Sequence, residues 1–315
     1  RGEVPGAPFL PLEGYGIVYA NRGRNFFPKI LSQFPSILSS VRRENEWLAR
    51  NQGTYRWDAV VSDNRYGLHH PSIPSVILTH QLHIRTGISS FLDGIVRSLL
   101  FRRLARFDEC WVPDAVEEPS LSGALSHGRV PAHVRYLGPL SRFGSLGVGS
   151  GSGRVLVLLS GPEPQRSIFE RRIEEQLRGF EGDMLIVRGL PGRVGSKSDA
   201  GGVRWVNHLG AAELIRELEA ASLVIARSGY STVMDLVRTG RRAVLVPTPG
   251  QTEQEYLARH LADGGRFLSV AQSDFDLRRA VADGLSSPIP SLVMDFDSHR
   301  EVVRGFLLGI HHRKP

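Results

Sequence analysis

The chain has 315 residues, 41% of them hydrophobic, with a net charge of +7 and an isoelectric point near 10.0. That length holds two domains of ordinary size. A single cysteine excludes a disulfide framework and a cysteine-rich zinc site and fits a reducing cytoplasm, no apolar run approaches the ~20 residues that span a bilayer, and the basic balance favours an anionic partner. A nucleotide diphosphate or a phospholipid surface meets that charge. Nucleic acid is not expected, because no basic run is interleaved with aromatics.

Residues 1–14, punctuated by Pro5, Pro8 and Pro11, read as a connector, and 16–20 as a short strand. Apolar residues at Ile30, Leu31, Phe34, Ile37, Leu38, Val41 and Leu48 predict a helix over 28–51, kinked or split at Pro35. Strands follow at 58–62, 75–78 and 109–112, the last placing Cys110 in a core. The loops Asp63-Asn64-Arg65-Tyr66-Gly67 and Thr79-His80-Gln81 end the first two strands and point into one crevice. Asp63 is a candidate general base for an attacking hydroxyl, or a turn residue bonding its own loop. His80 can serve as a base or bind an anion. His69, His70, His80 and His83 raise a zinc site, but without H-E-x-x-H spacing no metal is expected.

Residues 88–107 form a basic amphipathic helix. Either its apolar face packs on the sheet, or Arg97, Arg102, Arg103 and Arg106, with Phe91, Leu99, Leu100 and Phe101, touch an anionic membrane surface. The Gly/Ser-rich stretch after residue 141 marks a boundary, dividing the chain into 1–141, a linker 142–153, and 154–315.

The second half opens with an apolar strand at 154–159, a loop carrying Gly161 and Arg166, and a helix at 167–178. Strands at 184–187 and 203–206 flank a polar loop, the second ending at His208 and Leu209, and a helix follows at 211–221. A strand at 223–226 then runs into Arg227-Ser228-Gly229, a helix at 231–239 stopped by Gly240, and a strand at 243–246. After Pro247-Thr248-Pro249-Gly250, Thr252 caps a further helix with Glu255 as its capping-box partner. Helices at 274–285 and 300–308 complete the chain.

Two strand-to-helix turns thus lie side by side at the carboxyl edge of a parallel sheet, where open α/β sheets bind ligands. Arg227, Ser228, Gly229 and Thr232 crowd the first helix start, which favours a phosphate. Asp235 is placed to accept hydrogen bonds from a ribose diol. Gln251, Glu253, Gln254 and Glu255 crowd the second start and can bond sugar hydroxyls or simply complement the helix dipole.

The run R-S-G-x-x-T-x-x-D-L followed by P-T-P-G-Q-T-E-Q resembles the nucleotide-sugar half of family 28 glycosyltransferases. The resemblance implies two Rossmann-like α/β domains facing a cleft, the GT-B fold, and metal-independent, inverting transfer from a UDP-sugar that serves as co-substrate, with no cofactor. It further implies Asp235 on the ribose, Arg227, Ser228, Gly229 and Thr232 along the diphosphate, and Gln254 and Glu255 at the donor sugar. Gly161 and Arg166 match the family's phosphate loop, and His208 and Leu209 its base-binding backbone, while Thr248, Gly250, Gln251 and Glu253 line the same donor side. Asp235 stands where the family more often has Glu; Glu255 stands where its peptidoglycan-synthesis member has Gln, which leaves the sugar open.

The first half resembles the acceptor half more loosely, with Asp63 and His80 as catalytic candidates and Asn64, Arg65 and Gln81 on the acceptor side. Family members open with a strand and a Gly/His loop, so an incomplete first domain is expected here. Transfer of an N-acetylhexosamine to an acceptor that the family makes lipid-linked, peripheral to the inner face of a membrane, is the leading expectation. Two others stand beside it: a UDP-sugar 2-epimerase using Glu253, Glu255 and His208, and a non-catalytic nucleotide-sugar-binding module.

Overall fold

The computed structural model describes residues 8–12, 26–84, 89–144, 153–193, 196–198, 201–290 and 292–313. The strand expected at 16–20 and most of the 142–153 linker lie outside them.

Short apolar runs with no polar alternation fit strands covered on both faces, which is how parallel sheets are built. Two mainly parallel sheets form. The first holds β1 (Val60–Asp63), β2 (Ser75–Leu78), β3 (Glu109–Val112) and β4 (Val134–Tyr136), all parallel and in chain order. The second holds β5 (Arg154–Leu158), β6 (Met184–Val187), β7 (Ser196–Ser198), β8 (Val203–Val206), β9 (Ala221–Ala226), β10 (Ala243–Leu245) and β11 (Leu268–Ser269). Its order is β11-β10-β9-β5-β6-β8-β7, parallel except where β7 runs against β8. The strand order therefore reverses beside β5 and β9, and the loops leaving those two strands bracket a crevice at the carboxyl edge.

Helix α1 (Phe26–Tyr55) continues through Pro35 as one helix rather than two. Helix α2 is Ser90–Leu104, capped by Ser89, whose Oγ accepts the Leu92 N–H. Helices α3 (Gln165–Gln176), α4 (Ala211–Ala220), α5 (Tyr230–Thr239), α6 (Thr252–Asp263) and α7 (Leu277–Ser286) cover the second sheet. Gly240 stops α5 in the left-handed conformation at φ 61°, as expected for a residue without a Cβ.

Helix α8 (His299–Arg313) returns to the first sheet, where Phe306 meets Trp111 edge-on at 5.4 Å and Val302 and Val303 pack on the same cluster as Val76 and Leu137. Cys110 is buried as expected, with Ile77, Leu104 and Val134. On the second sheet, one core lies under α5 and α6 and takes in Leu121 and Leu125 from the first half and Phe143 from the linker; the other gathers Phe169, Ile173 and Phe275.

Three local expectations are corrected. The polar loop before 203 contains the edge strand β7, and β4 adds a strand after 112. Gln251, not Thr252, is the N-cap of α6, and the Glu255 carboxylate accepts the Gly250 N–H at 2.8 Å instead of closing a capping box. The helix expected from 274 begins at Leu277, because Asp276 accepts the Arg279 N–H at 2.8 Å and fixes the start there.

Candidate functional site at the carboxyl edges of the two sheets

The turn after β9 delivers Ser228 and Gly229 to the start of α5. Gly229 is the N-cap, with open space where a Cβ would stand, so the first N–H groups of the helix face a clear approach. Ser228 is buried and its Oγ donates to the Gln254 carbonyl at 2.8 Å, joining the two helix starts. Thr232 is half-buried in the first turn of α5.

The loops after β5 and β10 meet beside that turn. Gly161, at φ 102°, would bring a Cβ to 3.5 Å from Thr248 Oγ1. Thr248 is buried, and its hydroxyl has no hydrogen-bond partner among the described residues. An orphaned buried hydroxyl at the crevice costs stability unless something completes it, and a phosphate oxygen has the right chemistry. Gly250, at φ 80°, makes the bend into α6, with Gln251 half-buried at its cap.

Asp235 lies in the second turn of α5 and accepts from Ser141 Oγ at 2.7 Å, with Arg142 Nε at 3.6 Å. Burial pushes its carboxyl above the usual 3.8, opposed by the Ser141 bond and the Arg142 charge. His208 is exposed and Leu209 half-buried beyond β8.

Several assigned side chains do other work. Arg227, expected along a diphosphate, is 1% exposed and lies over the Phe169 ring at 4.5 Å. It donates to the carbonyls of Val246 (3.1 Å), Pro247 (3.3 Å) and Gln165 (3.0 Å) and to Gln272 Oε1 (2.7 Å), tying the loops after β5 and β10 together from beneath. Burial lowers this guanidinium to about 10, which leaves it charged at neutral pH. Arg166 is likewise buried, paired with Glu163 at 2.7 Å and with Glu170. Gln254 and Glu255, expected at the donor sugar, accept the N–H groups of Thr248 (2.9 Å) and Gly250 and so shape the loop. Arg65 pairs with the buried Glu44 at 2.7 Å.

On the facing sheet, Asp63 ends β1 with its side chain exposed, in register with Leu78. Asn64, at φ 54°, accepts from Thr79 Oγ1 at 3.2 Å, so the two expected loops do touch. His80 and Gln81 reach across to the second half. His80 Nε2 lies 2.6 Å from Glu253 Oε1, and Gln81 Nε2 donates to Glu253 Oε2. The His80 ring stacks on Tyr230 with centroids 4.2 Å apart and planes 12° apart. Tyr230 is itself held by a 2.8 Å bond from its hydroxyl to the Pro113 carbonyl. Tyr230 and Ser141 escaped the sequence reading; the one visible signal was an aromatic directly after Ser228-Gly229.

Helix α2 is apolar on two faces. Leu100 and Leu104 are buried, while Phe91 (76% exposed), Ile95 and Leu99 follow one another at helical spacing on the outside. Among the described residues, no helix is long and apolar enough to cross a membrane, and no three His, Cys, Asp or Glu side chains gather to hold a metal ion.

Comparison with known proteins bears on this edge directly. Residues 212–289, from α4 to just past α7, match the family model described as the glycosyltransferase family 28 C-terminal domain. A relative from Methylorubrum populi, named UDP-N-acetylglucosamine–N-acetylmuramyl-(pentapeptide) pyrophosphoryl-undecaprenol N-acetylglucosamine transferase, is 45% identical over 73 residues, 22% of this chain and 20% of its own length. A protein of the same name from Nitrobacter winogradskyi is 28% identical over 233 residues, covering 68% of this chain and 61% of its own. The chain thus matches about a fifth of the first relative's length. Among solved structures, the kitacinnamycin glycosyltransferase superposes with a TM-score of 0.57 at 15% identity, over 89% of this chain and 79% of its own. The glycosyltransferase VinC, in complex with DTDP, gives 0.55 at 14% identity, over 96% and 87%. Two Rossmann-like domains therefore make up the fold, shared with glycosyltransferases of known structure, and residues 212–289 carry the pattern of the family 28 C-terminal domain.

Proposed function

We propose that this chain transfers an N-acetylhexosamine from its UDP-sugar to the hydroxyl of a lipid-linked acceptor, with inversion and without a metal ion. The family 28 match carries this reading, because it falls on α4 to α7 and so on the crevice with the open helix start. In the proposed complex the diphosphate sits at the α5 N-terminus against Gly229, Ser228 and Thr232, with Thr248 Oγ1 and Gly161 beside it. Asp235 takes the ribose diol, exchanging its bond to Ser141. The base lies near His208 and Leu209.

The acceptor hydroxyl gives its proton to a base on the first sheet, His80 or Asp63, as its oxygen bonds the anomeric carbon. The bond to the diphosphate breaks with its electron pair leaving on UDP, whose charge the helix start stabilises. The exposed stripe Phe91, Ile95 and Leu99, continued by Arg102 and bordered by Arg103, suits an anionic membrane surface that presents such an acceptor. A cytoplasmic chain held peripherally at the inner face of the envelope fits this reading.

Supplying UDP-N-acetylglucosamine with and without an undecaprenyl-diphosphate-linked N-acetylmuramyl acceptor tests the proposal. Acceptor-dependent UDP release supports it, whereas conversion of the UDP-sugar alone to its 2-epimer refutes it. Asp235→Ala should weaken UDP binding about ten- to hundred-fold, since hydrogen bonds to a charged group contribute about 1.5–3 kcal/mol. Unchanged UDP affinity would remove Asp235 from the ribose.

A further inference from the structure

We infer that Glu253 is a positioning residue for His80, and that the two form a dyad assembled from both halves of the molecule; this rests on the transferase reading above. His80 is fixed on two sides by groups from the second sheet's helices. Tyr230, the first residue of α5, lies flat beneath the imidazole at 4.2 Å. Glu253, in the first turn of α6, meets Nε2 at 2.6 Å. Gln81 donates to the other carboxylate oxygen, so Glu253 cannot rotate away without losing both bonds. Tyr230 is locked in turn by its bond to the Pro113 carbonyl.

A carboxylate accepts but cannot donate, so in the neutral imidazole the proton of His80 sits on Nε2 and Nδ1 presents its lone pair. Nδ1 makes no hydrogen bond to any described residue, and the side chain keeps 20% of its surface exposed. In the transfer step Nδ1 takes the acceptor's hydroxyl proton. The imidazolium so formed is stabilised by Glu253, while the acceptor oxygen bonds the anomeric carbon and UDP departs with the electron pair. The base is thus competent only while the helix starts of the donor side stand against the Thr79-His80-Gln81 loop. This favours His80 over Asp63, which has no comparable support.

The experiment follows UDP release from UDP-N-acetylglucosamine, with water as acceptor, and UDP affinity by calorimetry, on the full chain. Glu253→Gln keeps the shape and removes the charge. It should lower kcat about 10²-fold, the scale of general-base catalysis, with the donor KM within about twofold of wild type. His80→Ala should lose at least as much, and adding Glu253→Gln to it should cost nothing further, as residues acting as one unit do. Nitrogen NMR of the histidines, with His80 assigned from its variant, should show the Nε2–H tautomer in wild type and lose that preference in Glu253→Gln. A raised donor KM at unchanged kcat, additive losses in the double variant, or a tautomer indifferent to Glu253→Gln overturns the dyad. Wild type that neither binds UDP nor releases it overturns the transferase reading instead, and the NMR result still judges the dyad's geometry.

Discussion

Arg227→Met separates a structural arginine from a phosphate ligand. The thioether keeps the stem's packing on Phe169 and removes the guanidinium. Four acceptors then lose a donor: the carbonyls of Val246, Pro247 and Gln165, and Gln272 Oε1. At about 1.5 kcal/mol for each of the three buried acceptors left bare, and less for the half-buried Pro247 carbonyl, the loss is about 5 kcal/mol. Against it stands the cost of burying the cation. The fall of its pKa from 12.5 to about 10 corresponds to about 3 kcal/mol at 1.36 kcal/mol per unit, and this cost disappears with the charge. A net destabilisation of about 2 kcal/mol remains, which lowers Tm by about 4–8 °C for a domain of this size. Differential scanning calorimetry reads that shift, and titration with UDP well below the transition should find Kd within about threefold of wild type. A Tm equal to wild type together with a Kd raised tenfold or more would refute the buried-tether argument and return Arg227 to the diphosphate.

Three other experiments probe separate parts of the structure. Because burial raises the Asp235 pKa above its unfolded value, the ionised carboxylate costs stability at neutral pH, and that cost fades as pH falls through the folded pKa toward 3.8. Asp235→Asn should therefore raise Tm at pH 7, with the gain shrinking in acid, as thermal melts across pH would show; a gain that grows toward acid contradicts the sign. Phe91→Glu with Leu99→Glu should reduce sedimentation with phosphatidylglycerol vesicles several-fold and leave UDP affinity in solution unchanged, because both side chains are exposed and lie apart from the donor crevice. Gly138→Ala would place a Cβ 2.2 Å from the Asp295 carbonyl at a φ of 71°, so a loss of more than about 2 kcal/mol in denaturant unfolding is expected, against near neutrality for Gly144→Ala, where the space is open.

The parts of the fold written locally were legible. The runs SVIL, ECWV and MLIV are apolar but for their first residues Ser75 and Glu109, because neighbouring elements cover both faces, and their bounds follow from the residues alone. VRY and SKS were missed for the converse reason: β4 and β7 lie at sheet edges, and their sequences carry no continuous apolar run. At the site, the glycine turn and the helix that follows it were readable, since Gly229 and Gly240 act on their own neighbours. The direction of a long polar side chain was not. Arg227 beside Ser228-Gly229 looks like an anion ligand until Phe169 and Gln272 arrive from distant segments to bury it. The contact between His80 and Glu253 joins residues 173 positions apart, a juxtaposition that only the packed chain produces.

The return of α8 to the first sheet changes how the molecule can open. The backbone passes from the first sheet to the second after β4 and comes back after α7, so two covalent tethers cross the boundary rather than one. Two tethers define an axis. Two crossings limit how far the halves can separate and favour rotation about the line joining them over independent drift. A protease cut in either crossing would leave the halves joined by the other. On the proposed transferase reading, donor entry and product exit would share a single bending coordinate, and the contacts of Glu253 and Tyr230 with His80 lie across it.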